Sequence, residues 1–308
     1  MKLAVVDVVA RAIQWPGGVL VGGLAWVRSA QWNRWTYFLV VSIGFIFGAS
    51  KVRATAASSV VVASAAVKEV PLATTFEREV TPRLAVPSNE IDSYAVRLKN
   101  ALNAAQIQAV TVQFVMLVDR SPSVQAAFLY WGSAGQGWSF VGAAPVSTGL
   151  PGRYEHFTTP LGVFDHSLVN PDFRAEGTKN KQGFRGYGSK GMRIYDFGWV
   201  ESPRGWGNGA MGVLRLQMHA TDPDRAEPKL GVAASEGCVR IPSTLNDFID
   251  RHAVLDEGYE RAAAEGKLLW VLRKDRTPVA SPGRYLVVVD SERAVRPNWS
   301  PLPVLPGR

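Results

Sequence analysis

The sequence predicts a mostly β domain with a few helices, of the α+β class, preceded by a segment that is not part of that domain. Three observations lead to this prediction. Between residues 111 and 292, short runs rich in Val and aromatic residues are separated by Gly and Pro, which is typical of strands. One helical pattern precedes these runs, and a long uncharged run lies further upstream. The hydrophobic content of 47% and the charged content of 19% are those of a folded chain.

The N-terminal residues 1–56 are predicted to be a signal peptide or a membrane anchor. The run 35–50, WTYFLVVSIGFIFGAS, has no acidic or basic residue and lies between an arginine and a lysine. It is shorter than the roughly 20 residues of a membrane-spanning helix, but it suits the core of a secretory signal, and the small-x-small pattern 54–56 follows it. A second uncharged run, 12–27, keeps an uncleaved anchor open. We therefore expect export to the periplasm or cell envelope, free or held at the inner membrane.

Residues 57–87 are interpreted as a linker and residues 88–110 as an amphipathic helix. The linker runs through Ala, Val, Ser, Thr and Pro without sustained periodicity. In the helix, apolar residues recur at helical spacing; they are Ile91, Tyr94, Ala95, Leu98, Leu102 and Ala105.

The predicted strands define a β-rich domain over 111–292, followed by a Pro-rich tail over 293–308. The strand-like runs are 111–119, 126–132, 138–149, 192–200, 212–220, 267–274 and 284–292. A short helix is expected around Leu245, Phe248 and Ile249, which recur at helical spacing.

The positive net charge does not indicate a nucleic-acid partner. The chain carries +8, of which residues 1–87 contribute nine Lys/Arg against four Asp/Glu, or +5. The remaining residues carry twenty-five against twenty-two, or +3. Because the folded part has no basic stripe with interleaved aromatic residues, nucleic-acid binding is excluded as the main function.

The G-x-G-x-x-G pattern at 186–191 is not a dinucleotide site. That pattern binds dinucleotides only between a preceding strand and a following helix, and here a polar segment precedes it and a strand-like run follows. Nine glycines fall within 183–212, which predicts a mobile loop and a candidate lid. Its aromatic residues are Phe184, Tyr187, Trp199 and Trp206.

Cys238 is the only cysteine, and its neighbours make it a candidate nucleophile. Gly237 allows a positive φ, so that the amides of Gly237 and Cys238 can converge on one point. In an extended segment Arg240 projects to the same face as Cys238 and would favour the thiolate. Two simpler interpretations stay open: the thiol is an inert core residue, and Arg240 pairs with an acid such as Asp247.

His219 is the candidate general base. It ends a strand-like run in which Arg215, Gln217 and His219 alternate with apolar residues, so these three side chains share one face at the exit of the strand. The other histidines, His156, His166 and His252, are interpreted as surface or capping residues.

His219, a spacer of fifteen residues and the segment SEGCVR at 235–240 together resemble the signature of the L,D-transpeptidases with a YkuD-type catalytic domain. Two upstream stretches, PVSTG at 145–149 and TTPLGVF at 158–164, resemble the same family. The resemblance covers about residues 110–275. It implies a β-sandwich-like catalytic domain that acts on peptidoglycan stem peptides.

The resemblance also implies roles for individual residues. Cys238 would form a thioester with the stem peptide, and His219 would move the proton, with its ring oriented by the carbonyl of Ala220. The amides of Gly237 and Cys238 would hold the oxyanion. The implied substrate-binding residues are Ser235, Glu236 and Arg240.

Peptidoglycan stem peptides and carbapenem-type inhibitors are the implied ligands, with neither metal nor cofactor. Passing the thioester to a second stem forms a cross-link. Passing it to water would make the protein a carboxypeptidase or a cross-link-cleaving hydrolase, and loss of catalysis would leave a wall-binding domain. Glu236 stands where the family usually has His, and a carboxylate beside the thiol opposes thiolate formation.

Overall fold

The computed structural model describes residues 70–303 of the 308, and the signal peptide or anchor predicted at 1–56 lies outside them. The described chain is α+β with more strands than helices, in agreement with the predicted class. In order, it forms α1 (Ala73–Glu79), α2 (Ser88–Ala104), β1 (Gln113–Asp119), β2 (Ala126–Ser133), β3 (Gly137–Pro145), β4 (Gly162–Asp165), β5 (Phe173–Arg174), β6 (Arg193–Pro203), β7 (Met211–Ala220), β8 (Val239–Ile241), α3 (Ser243–Arg251), α4 (Glu257–Ala264) and β9 (Tyr285–Val289). In this part of the chain, no helix is both long and apolar enough to cross a membrane.

The strands form two sheets. The first has the order β3-β2-β1-β9-β4 and the second has the order β5-β6-β7-β8. Strands β6 and β7 are an antiparallel hairpin, whereas the short β8 lies parallel to the end of β7. This parallel pairing is what brings the cysteine segment beside the histidine strand.

The main core lies between the two sheets. Met116 and Val118 of β1 belong to the same buried cluster as Leu216 and Met218 of β7 and Val239 of β8. Because side chains alternate between the faces of a strand, the residues between these on β7 and β8 point to the outer face of the second sheet.

Helix α2 covers the other face of the first sheet, where Tyr94, Leu98 and Leu102 are buried. The helix ends at Ala104 and not at residue 110, as its periodicity had predicted. Gln106 has a φ of 57°, and a left-handed residue of this kind ends an α-helix.

Parts of the segments interpreted as linker and tail are packed into this domain. Phe76 of α1 is buried in the main core, so residues from 70 onward are not a free linker. Trp299 packs edge-on against Tyr94 and Phe128, and the Ser300 hydroxyl donates to the Val124 carbonyl. A seven-residue helix and a single anchoring tryptophan are too short to produce a sequence period, which is why the pattern missed both.

Two further predictions are wrong in part. Residues 267–274 are not a strand: they form a turn, and the Leu268 side chain is 99% exposed. The glycine-rich stretch 183–212 is not one loop, because 193–203 forms β6 and β7 begins at Met211. A short run of apolar residues forms a strand only where a neighbouring strand is available to pair with that run.

Candidate active site

The register between β7 and β8 collects four polar side chains on one face. His219 is paired with Arg240, and Met218 with Val239. Met218 and Val239 are buried in the core, so alternation directs His219 and Arg240 to the opposite face. Cys238 lies two residues before Arg240, and Gln217 lies two residues before His219. We call Gln217, His219, Cys238 and Arg240 the site face.

His219 is a buried, neutral base. Its Nδ1 lies 2.6 Å from the carbonyl oxygen of Ala220, and a carbonyl can only accept, so Nδ1 carries the proton and Nε2 keeps its lone pair. Burial lowers the pKa of His219 to about 4, and the nearby charge of Arg240 acts in the same direction. The predicted contact with the Ala220 carbonyl is therefore present.

Cys238 is a half-buried thiol, not a thiolate. Its Sγ lies 3.7 Å from the carbonyl oxygen of Arg215. Burial raises the pKa of Cys238 to about 11, against a smaller lowering by the Gln217 backbone and Arg240; the Glu236 charge adds to the rise. The expectation that Arg240 would favour the thiolate is thus outweighed by burial. Because the thiol and the imidazole on this face are both neutral, a nucleophilic attack by this thiol would require that its proton leave during the attack.

The loop before the cysteine is fastened by Ser235. The Gly237 amide donates to the Ser235 hydroxyl over 3.1 Å, and that hydroxyl donates to the Cys238 carbonyl over 2.5 Å. The Ser235 hydroxyl is therefore engaged by the backbone of the loop, and its implied role in substrate binding stays a prediction. The Gly237 amide, implied as an oxyanion donor, is bonded to this hydroxyl.

Gly237 is required by its backbone and by its surroundings. Its φ is 131°, as the positive-φ interpretation predicted. An added Cβ would lie 2.8 Å from Cδ2 of Leu214 and 3.1 Å from Cβ of Phe157. Any other residue at this position would be strained at this φ and would press on the Leu214 methyl groups and on Phe157.

The two upstream motifs meet the cysteine segment. In the PVSTG motif, the Ser147 amide donates to the Arg240 carbonyl over 3.0 Å and the Arg240 amide donates back over 2.9 Å. In the TTPLGVF motif, the Thr159 hydroxyl donates to the Gly237 carbonyl over 2.7 Å and accepts from the Gly149 amide over 2.8 Å. Three sequence motifs that are far apart in the chain therefore form one backbone network around the thiol.

Arg240 is a mostly buried cation without an acidic partner among residues 70–303. Its Nη1 donates to the Ala234 carbonyl over 3.1 Å, its guanidinium lies 5.8 Å from the Phe184 ring centroid, and its Nε has no hydrogen-bond partner. Burial lowers its pKa. The alternative pairing with Asp247 is wrong, because Asp247 pairs with Arg251 and Arg273 instead.

Glu236, two residues before Cys238 in the chain, is exposed and borders a cleft. Its backbone carbonyl accepts from the Phe157 amide over 3.1 Å, which leaves its side chain free of the loop network. The cleft has a volume of about 770 Å³ and includes Phe184, Arg225 and Lys229. A carboxylate at this position can contact a ligand that enters from this side.

A chain of polar contacts behind His219 was missed by the sequence analysis. Asp196 of β6 accepts a hydrogen bond from the Gln217 amide group over 2.9 Å, and Gln217 accepts one from the Tyr187 hydroxyl over 3.1 Å. The Tyr187 ring stands edge-on to the His219 ring, with centroids 4.7 Å apart. Alternation pointed to Gln217, but no local signal connects Asp196 or Tyr187 with His219.

Of the other histidines, His156 lies at the cysteine loop, where its Nδ1 is 3.1 Å from the Ser235 carbonyl. His252 is away from this loop, and its Nε2 lies 2.9 Å from Glu79. The surface or capping interpretation is wrong for His166, which is buried and paired with Asp172. In the described part of the chain, no group of three or more His, Cys, Asp or Glu side chains is arranged to hold a metal ion.

Comparison with known proteins does not identify a family. No family model matches the sequence, and no curated protein does. Two crystal structures of the helical cell shape determining protein Pgp2 from Campylobacter jejuni, one of them a lysine-to-alanine mutant, are similar to this chain with 12% identity and TM-scores of 0.28 and 0.26. The matches cover 66% and 70% of this chain but only 58% and 60% of those chains, less than two thirds of their length. Such TM-scores carry no argument about fold or function.

Proposed function

We propose that this chain is an L,D-transpeptidase of the YkuD type that forms peptidoglycan cross-links through a thioester on Cys238. The observation that supports this most is the β7–β8 register, which gathers a thiol, a neutral imidazole and an arginine without an acidic partner on one face. The order and spacing of the three motifs resemble those of the L,D-transpeptidases, and this resemblance is the basis for proposing stem peptides as the substrate. The predicted signal or anchor is consistent with a substrate outside the cytoplasm.

In the first step, Cys238 attacks the carbonyl carbon of the diaminoacyl residue that precedes a terminal D-alanine. The S–C bond forms as His219 Nε2 takes the thiol proton. The C–N bond then breaks, and the same proton passes to the departing amine of D-alanine. Because the pKa of the thiol is raised and that of the imidazole is lowered, proton transfer accompanies the attack and does not precede it.

The Cys238 amide stabilises the oxyanion in this proposal, since the Gly237 amide is held by Ser235. The Ala220 carbonyl keeps the His219 ring in the tautomer in which Nε2 is unprotonated and can accept the thiol proton. Tyr187 packs against the ring and restricts its rotation. These groups act by holding the reacting atoms in place before the substrate arrives.

Arg240 binds a carboxylate of the donor stem in this proposal. A mostly buried guanidinium with an unpartnered Nε is costly to leave without a counter-ion. Arginine offers a planar fork that matches a carboxylate with two parallel hydrogen bonds. A substrate carboxylate beside the thiol therefore supplies the partner that the described chain lacks.

The direct test is product analysis with a purified stem tetrapeptide and a second stem as acceptor. The proposal expects a cross-linked dimer together with free D-alanine, and neither product from Cys238→Ala. Release of D-alanine with only tripeptide as the other product would favour the hydrolase, and an unchanged substrate would favour the wall-binding domain.

A further inference from the structure

A second arginine lies on the site face, beyond the thiol. Arg215 is two residues before Gln217 on β7, so alternation puts its side chain on the same face as Gln217 and His219. Its backbone carbonyl is the oxygen that lies 3.7 Å from Cys238 Sγ. Arg240 lies in register with His219. The reacting sulfur therefore lies between two guanidinium-bearing positions on one face.

We propose that Arg215 binds a carboxylate of the acyl acceptor, so that the site passes its thioester to an amine on an anionic molecule in preference to water. The inference rests on the proposed thioester function and extends it by naming the residue that recognises the acceptor. An amine that carries a carboxylate close to its nitrogen, as at an amino-acid head group, fits this arrangement.

The guanidinium of Arg215 is hydrogen-bonded along one edge, and its other edge is open. Its Nε donates to Asp196 over 2.7 Å, and its guanidinium lies 5.9 Å from the ring centroid of Trp199, its cross-strand neighbour. The side chain is 42% exposed. Within residues 70–303, its hydrogen bonding to carboxylates uses Nε alone. The two terminal nitrogens are left to face a ligand.

Asp196 orients the Arg215 guanidinium but leaves the N–H groups of its two terminal nitrogens without a carboxylate partner. Asp196 is buried, and the oxygen that accepts from Arg215 also accepts from the Gln217 amide group, while its other oxygen accepts from the Gly198 amide. By contrast, Arg174 uses both terminal nitrogens on Asp250, at 2.9 and 3.1 Å. Arg215 is thus pre-oriented with its carboxylate-binding fork unoccupied, which is what a binding arginine needs.

On the face of the hairpin that carries the thiol, the surface beyond Arg215 is exposed. Trp199 is 68% exposed, and Met211 and Val213, which share its face of the hairpin, are exposed as well. The opposite face of the hairpin is covered, since Gly212 lies against Phe157 and Arg204. A molecule approaching the thioester from the hairpin side therefore passes over Trp199 and reaches Arg215 before the sulfur.

The transfer step balances with the groups already named. The acceptor amine attacks the thioester carbon and gives one proton to His219 Nε2 as the new C–N bond forms. The C–S bond then breaks, and the Cys238 thiolate takes that proton from the imidazolium. Thiol and neutral imidazole are restored, and no further reactant is needed.

The test uses the full chain, a stem tetrapeptide as donor and a matched pair of acceptors, D-methionine and D-methioninamide. Mass spectrometry gives the ratio of aminolysis to hydrolysis for each acceptor, and the quotient of the two ratios measures the preference for the carboxylate. In Arg215→Gln we expect this quotient to fall about tenfold, the scale of one charge-assisted contact. Arg215→Lys keeps the charge but not the fork, and should lose most of the preference as well.

Arg204→Gln is the matched control, because Arg204 also stacks on a tryptophan of the same hairpin but lies on the covered face. Its quotient should equal that of the unmodified chain. An unchanged quotient in both Arg215 variants overturns the inference while leaving the proposed function standing. Absence of any acyl-enzyme in the unmodified chain overturns the proposed function and the inference with it.

Discussion

Two histidines are almost equally buried on opposite faces of the second sheet, yet they differ in charge. His219 is 4% exposed on the site face, and His166 is 1% exposed on the core side. Both ring nitrogens of His166 face acceptors: Nδ1 donates to the Leu255 carbonyl over 2.8 Å and Nε2 donates to the Asp172 carboxylate over 2.9 Å. A ring that donates from both nitrogens is an imidazolium, whereas His219 donates only from Nδ1.

The difference shows that acidic neighbours, and not burial alone, decide the charge of a buried histidine. Burial lowers the pKa of His166 too, but the charge and hydrogen bond of Asp172, with Asp256 behind it, outweigh burial and raise the pKa overall. His219 has no acidic neighbour of this kind, so burial prevails and its pKa falls. At neutral pH, only His219 has an unprotonated ring nitrogen that can accept a proton.

His166 belongs to a buried ionic cluster, which we define as His166, Asp172, Arg193 and Asp256. Arg193 donates to Asp172 over 2.7 Å and to Asp256 over 2.6 Å. Asp172 also accepts the backbone amide of Asp196 over 2.9 Å, the residue that holds Gln217 and Arg215 on the site face. The cluster therefore supports β6 on the face opposite the site face.

The largest expected effect separates the two histidines by function. His219→Gln should slow acylation of Cys238 by about 10²–10⁴, because it removes a positioned base. His166→Gln changes no group on the site face, so the folded fraction should acylate at a rate near that of the unmodified chain. Rates are measured by intact mass and divided by the folded fraction from circular dichroism. Equal slowing in both variants would contradict the comparison.

The next effect concerns stability. Asp172→Asn keeps the shape of the side chain but leaves the buried charges of His166 and Arg193 without their shared partner, which should cost about 3–5 kcal/mol of unfolding free energy. The control is Asp247→Asn, whose ion pairs with Arg251 and Arg273 are partly exposed and should contribute less than about 1 kcal/mol each. Urea unfolding measures both. A similar small loss of unfolding free energy in the two variants would mean that the buried ionic cluster does not stabilise the fold.

The pH dependence of stability should have opposite signs for the two histidines. His219 has a folded pKa of about 4, below its unfolded value near 6.5. Its contribution is therefore present above pH 6.5 and is lost as the pH falls toward 4, by about 3 kcal/mol at roughly 1.4 kcal/mol per unit. The pKa of His166 is raised, so its contribution is present below pH 6.5 and is lost as the pH rises through the folded pKa.

Unfolding free energies between pH 4 and 8 test this directly. The difference between the unmodified chain and His219→Gln should shrink toward acid, and the difference for His166→Gln should shrink toward alkali. Two difference curves with slopes of the same sign would show that the charges are not assigned as described.

The smallest effect tests how the site face is held in position. Tyr187→Phe removes the hydroxyl that donates to Gln217 but keeps the ring that packs on His219, so we expect a loss of about threefold to tenfold in acylation rate, the scale of one neutral hydrogen bond. Tyr154→Phe, at an exposed tyrosine, is the matched control and should have no effect. A loss in Tyr187→Phe that appears only as lower thermal stability would assign Tyr187 to the fold and not to the site.

Much of the site face could be predicted because its signals are local. The two-residue spacings of Gln217 with His219 and of Cys238 with Arg240 are enough to put each pair on one face of a strand. The hydrogen bond from the Gly237 amide to the Ser235 hydroxyl could not be predicted, because a serine hydroxyl near a tight loop suits a ligand or the backbone equally well. Only the folded loop shows that this hydroxyl bonds the backbone.

The buried ionic cluster could not be predicted for a different reason. Its members come from segments that are distant in the chain, and Arg193 lies within a run whose apolar neighbours predict only a strand. A single sequence shows neither the partner of a buried charge nor its distance. The same limit applies to Asp196 and Tyr187, whose connection to His219 exists only through tertiary packing.

If the neutral thiol and imidazole on the site face react with a stem peptide, the acyl group must remain on the protein before transfer. Intact-mass measurement of the full chain mixed with a stem tetrapeptide detects it. We expect a mass increase equal to the tripeptide acyl group, located on Cys238 by peptide mapping, absent in Cys238→Ala and formed at least about a hundredfold more slowly in His219→Gln. An unchanged mass, or an adduct that forms equally fast in His219→Gln, would contradict it.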